Sequence, residues 1–70
     1  MILKGLTVSV AGVVLSVVRD TKARVARVRA MMPEGNVLSE AEREAVDASG
    51  KLLVERARRF FGIGWTVEDW

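Results

Sequence analysis

The sequence contains no cysteine and no histidine. Without cysteine there is no disulfide to staple a small fold and no thiolate to hold zinc or an iron–sulfur cluster. Without histidine the usual general base, the imidazole metal ligand and the side chain that titrates near neutral pH are all missing. Proline occurs once, at Pro33, and Asn36 is the only amide side chain. A phosphate-binding loop closes on Gly-Lys-Ser/Thr, which does not occur here, and Gly62 and Gly64 lack the third glycine and the following helix of a dinucleotide-binding turn. The acidic pairs Glu40/Glu44 and Glu68/Asp69 read as helix-surface and tail charges, not as an acid–base pair. Met31 and Met32 have no histidine or cysteine to complete a haem or copper site. These absences lead to the expectation of a non-enzyme with no catalytic residues, no metal site and no cofactor.

What the chain has is apolar surface. Half of its 70 residues are hydrophobic, a high share for a length that can bury only a thin core. A free monomer would leave much of that surface in water, so partners or lipid are expected. The net charge of +2 is unevenly spread. Arg19, Lys22, Arg24, Arg27 and Arg29 stand against the single Asp20, the stretch from Glu34 to Asp47 is acidic, and Lys51 to Arg59 is basic again.

The most apolar stretch is Met1–Val18, uncharged from Gly5 to Val18. Read as a helix, it lies at the lower length limit of a membrane span, about 17 residues, with Lys4 snorkelling to the interface. Gly5, Ser9, Gly12 and Ser16 then fall on one stripe, flanked by valines, and form a groove for a partner helix. A buried helix of a soluble oligomer is the second reading of this stretch. A strand is the third, since Thr7-Val8-Ser9-Val10 alternates and β-branched residues dominate Thr7–Val18. No second strand of matching quality is evident, so a strand here would have to pair between molecules. The end of the apolar run, Arg19-Asp20-Thr21-Lys22, offers no signal-peptide cleavage site, so the segment is expected to be retained.

Beyond it, Val14, Val18, Thr21, Val25, Val28 and Met32 recur at helical spacing, and Pro33-Glu34-Gly35-Asn36 reads as a turn. Ser39-Glu40-Ala41-Glu42 matches a capping box, opening an amphipathic helix with Val46, Leu53, Ala57 and Phe60 as its stripe and Leu52 and Phe61 as shoulders. Gly50 is expected to be tolerated mid-helix, and Gly62 ends the helix. Trp65 and Trp70 then mark a short tail that docks on a core, an interface or a partner.

The expected fold is therefore all-α: a helical hairpin with an apolar-then-basic first helix over about residues 3–32, a second helix over about 40–61 and an aromatic tail. One domain is expected, divided into an anchor (1–18), an amphipathic helical hairpin (19–61) and a tail (62–70). The leading functional expectation is a small non-catalytic accessory subunit of a larger assembly, its partners being protein subunits or further copies of itself. It would sit by its first helix in a membrane or an inter-subunit groove, with the bulk of the chain cytoplasmic because the Lys/Arg excess follows the span. Arg19, Lys22, Arg24, Arg27 and Arg29 would face anionic lipid. The alternative is a soluble, cytoplasmic helical-hairpin oligomer that lays the same five cations along nucleic-acid phosphate. Against it stands the lack of aromatic or amide side chains among the arginines.

Overall fold

A computed structural model of the chain describes residues 6–70. In chain order it contains β1 (Thr7–Val10), β2 (Val13–Asp20), β3 (Val25–Met31), α1 (Glu40–Phe61) and β4 (Thr66–Val67). The strands form one sheet in the order β1-β2-β3-β4. The pairs β1–β2 and β2–β3 are antiparallel, and β4 runs parallel to β3. Parallel neighbours require a crossover, and α1 supplies it while covering one face of the sheet.

The apolar run folds back on itself. β1 and β2 pair from Val10↔Val13 to Thr7↔Ser16 around the two-residue turn Ala11-Gly12. Both turn residues have positive φ, 52° and 78°, a backbone whose twist matches that of the strands it joins. Alanine adopts this conformation at a cost. Asn36 helps to hold the turn, its side-chain amide donating to the Ala11 carbonyl at 3.3 Å. At the next turn the Asp20 carboxylate accepts from the backbone N–H groups of Lys22 (3.0 Å) and Ala23 (3.2 Å), and Arg24 takes the left-handed conformation (φ 54°) that returns the chain into β3.

Side chains alternate between the two faces of the sheet. Val8 and Val10 of β1, Val13, Leu15 and Val17 of β2, and Val28 of β3 pack with Leu38 and with Val46 and Leu53 of α1. Leu15 and Leu53 are fully buried, each contributing about 2 kcal/mol by leaving water.

The all-α helical hairpin is thus overturned: the chain is mixed α and β, with one helix. The region expected to form the helix of about 3–32 is, from Thr7 to Met31, a three-stranded meander. The physical reason is β-branching, since seven of the twelve residues from Thr7 to Val18 are valine or threonine, stiff side chains that pack better on a pleated surface than round a helix. The missing partner strand lay inside the same run, on the far side of Ala11-Gly12. Among the described residues no helix is long and apolar enough to cross a membrane. The transmembrane helix, and the membrane-associated location inferred from it, are corrected accordingly. Residues 1–5 of the expected anchor, including Gly5 and Lys4, lie outside the described residues.

The second helix is as expected. Ser39 caps it, its hydroxyl accepting from the Glu42 N–H (3.2 Å) while the Glu42 carboxylate accepts from the Ser39 N–H (3.0 Å). Its buried face is Val46, Gly50, Leu53, Val54 and Ala57, whereas Phe60, expected on that stripe, is 56% exposed. Gly50 is more than tolerated. A Cβ there would stand 2.3 Å from Cδ2 of Trp70, so the missing side chain is what admits the indole, whose Nε1 donates to Asp47 at 2.7 Å. Arg58 and Asp69 form an ion pair beside it, and Trp65 stacks on Phe61 with ring centroids 4.6 Å apart.

Two measurements check this account. Gly50→Ala should favour the isolated helix by about 1 kcal/mol and yet expel the indole. In a Trp65→Phe background, Trp70 emission should shift to the red with helicity retained; unchanged emission would refute the close approach. The hydrogen bond from the Ser39 backbone N–H, and then the one with its hydroxyl, hold the Glu42 carboxyl below the ordinary glutamate value of 4.5. A depressed folded-state pKa stabilises above the unfolded value and is lost as pH falls through the folded one. The wild-type melting temperature should therefore fall more steeply on acidification below pH 4.5 than that of Glu42→Gln, and parallel curves would show that the cap does not titrate.

Candidate functional site

The helix covers one face of the sheet and leaves the other open. The registers define what stands on the open side, because directly paired residues share a face. Thr7, Ser16 and Arg29 form one row across β1, β2 and β3, and Ser9, Val14 and Met31 form the next. Arg27 pairs with Val18, and Val25 stands between Asp20 and Thr66. The result is a face of hydroxyls, guanidinium groups and a few apolar side chains. Its apolar corner is Val14 (40% exposed) and Met31 (56%), continued by Met32 and Pro33.

The placement of the arginines follows from Ala26-Arg27-Val28-Arg29-Ala30, a strict alternation of apolar and basic residues. In a strand, Ala26 and Val28 turn towards the helix, and Arg27 and Arg29 turn to solvent on the opposite face. Neither arginine pairs with a carboxylate among the described residues. Together they line an open depression of about 440 Å³ whose other walls include Val18, Val25, Asp20 and Glu68. Asp20 is partly occupied by the two backbone N–H groups of its turn. Glu68 follows β4, held there by its N–H bond to the Ala26 carbonyl at 2.9 Å.

The five basic positions singled out from sequence are therefore divided. Arg27 and Arg29 share the open face, and Lys22 and Arg24 lie in the turn at its end. Arg19 pairs with Ala26, which places it on the other side of β2, although it also borders the depression. The stripe Gly5, Ser9, Gly12 and Ser16 does not assemble as a helical groove. Ser9 and Ser16 stand on the open face of neighbouring strands, Gly12 forms the hairpin turn, and Gly5 lies outside the described residues. Trp65 and Trp70 both dock on the chain's own helix. Together with Phe60 and Phe61 they place every aromatic ring away from the open face.

Sequence reasoning missed Thr7, which completes the row with Ser16 and Arg29, and Glu68, which brings a negative charge to the rim. The alternation in Thr7-Val8-Ser9-Val10 was the available signal for the first; none existed for Glu68, whose position depends on β4. Among the described residues no group of three or more acidic side chains is placed to hold a metal ion. Comparison with protein-family models, with curated proteins and with solved structures finds no match to this chain.

Proposed function

We propose that this chain is a small non-catalytic accessory module that binds nucleic acid through the uncovered face of its sheet. The observation that carries the reading is the pair Arg27 and Arg29, aligned on one strand, exposed and without acidic partners among the described residues. Two neighbouring guanidinium groups not held in an ion pair are suited to a polyanion, because each phosphate they neutralise releases condensed counterions. Lys22 and Arg24 add positive charge at the turn, and the hydroxyls of Thr7, Ser9 and Ser16 offer neutral donors to phosphate oxygens. Catalysis forms no part of the proposal.

A second reading, a contact surface for a protein subunit, is favoured by the apolar corner of Val14, Met31, Met32 and Pro33, which lines a depression of about 310 Å³. The two readings differ in what they require of the arginines.

Binding of a fluorescently labelled duplex DNA, followed by anisotropy across a salt series from about 50 to 200 mM, tests the proposal. The wild type should bind with a clear inverse dependence on salt. Arg27→Ala/Arg29→Ala should reduce the slope of log K against log salt by about 1.8, roughly 0.9 for each lost phosphate contact. Both side chains are exposed, so the circular dichroism spectrum should not change. A wild-type chain that fails to bind at the lowest salt, or a double variant with an unaltered slope, would refute the reading and leave the apolar corner as the working surface.

A further inference from the structure

Resting on the nucleic-acid reading above, we infer that the open face enters the major groove of B-form DNA and that Arg27 and Arg29 contact guanines two base pairs apart. Three features of the face carry the inference. The first is spacing. Arg27 and Arg29 are two residues apart on β3, which separates them by about 6.8 Å along the strand; two base-pair steps along one DNA strand cover about the same distance. The second is width. The strands that carry the two arginines and their cross-strand partners Val18 and Ser16 are β3 and β2, whose backbones lie about 5 Å apart, a two-stranded ribbon of the kind that a major groove about 12 Å wide admits. The major groove of an A-form RNA duplex is too deep and narrow for such a surface. The third is the lack of aromatic rings on this face: a platform for single strands stacks bases on aromatic side chains, and all four rings of the chain lie elsewhere.

The rest of the face is consistent with this occupant. A guanidinium fork matches the O6 and N7 acceptors that guanine shows in the major groove. Met31 and Val14, paired across β2 and β3 next to Arg29, present methyl groups at the level where thymine presents its own. Thr7 and Ser9 on the outer strand β1 and Lys22 and Arg24 in the turn lie at the margins, where the phosphates flank the groove. Glu68 closes one end of the depression and keeps phosphate away from it.

The test uses the whole chain with four probes: a B-form DNA duplex of randomised sequence, the same duplex carrying 7-deazaguanine, an A-form RNA duplex and single-stranded DNA. Selection from the randomised duplex should enrich guanines two positions apart. Replacing those guanines by 7-deazaguanine, which removes the N7 acceptor, should weaken wild-type binding by about tenfold. The charge-preserving Arg27→Lys/Arg29→Lys chain should keep the salt slope but lose most of that penalty, because lysine lacks the planar fork. Methyl green, which occupies the major groove, should compete, and netropsin, which occupies the minor groove, should not. Salt-dependent binding without guanine preference or 7-deaza penalty would overturn this inference and leave phosphate binding standing, and so would tighter binding to RNA duplex or single strand. Absence of binding to every probe would remove the nucleic-acid reading itself.

Discussion

The apolar seam between β2 and α1 is the contact on which the rest of the molecule depends. Leu15 and Leu53 lie at its centre with no exposure, and Val13 and Val46 extend it. A β-hairpin is marginal in water without further strands or a helix packed on it, and a helix of 22 residues gains most of its stability from the face it buries. Each element therefore stabilises the other, and neither would persist alone. The chain has no disulfide to share that task.

The seam also determines the outer surface. Once Leu15 and Val28 point inward, the two-residue period of the strand obliges Ser16, Arg27 and Arg29 to point outward. Core and candidate interface are two consequences of one register. A slip of one residue would bury guanidinium groups and expose the valines. The turns guard against this, with Ala11-Gly12 fixing one hairpin and Asp20 to Arg24 fixing the other.

The C-terminal segment packs along one flank of the helix. β4 joins β3 through bonds from the Thr66 and Glu68 N–H groups, both 2.9 Å, and the chain then crosses to α1, where Trp70 lies over Gly50. Trp65 and Trp70 thus pack on the helix side of the molecule, leaving the opposite sheet face without rings. The charges follow the same division. Arg58 is matched by Asp69 next to the docked indole, whereas Arg27 and Arg29 have no such partner among the described residues.

Helix α1 was legible in the sequence because its signals are local. The Ser39–Glu42 box, the spacing of Val46, Leu53 and Ala57, and the stop at Gly62 all act within a few residues of one another. The hairpins were not legible, because a run of valines satisfies a helical period and a strand period alike, and Ala11-Gly12 is a weaker turn signal than Asn-Gly. The arginines could be listed from sequence, but which of them share a face could not, since helical and strand periods group the same residues differently. Ser9 and Ser16, aligned on one helical stripe by counting, came together instead by strand pairing. By itself the sequence determined where the long helix begins and ends and which residue types are available for chemistry. Only the tertiary structure decided that the apolar opening is a folded hairpin and that Thr7, Ser16 and Arg29 form one row, because pairing between strands is a non-local choice made by the core they jointly bury.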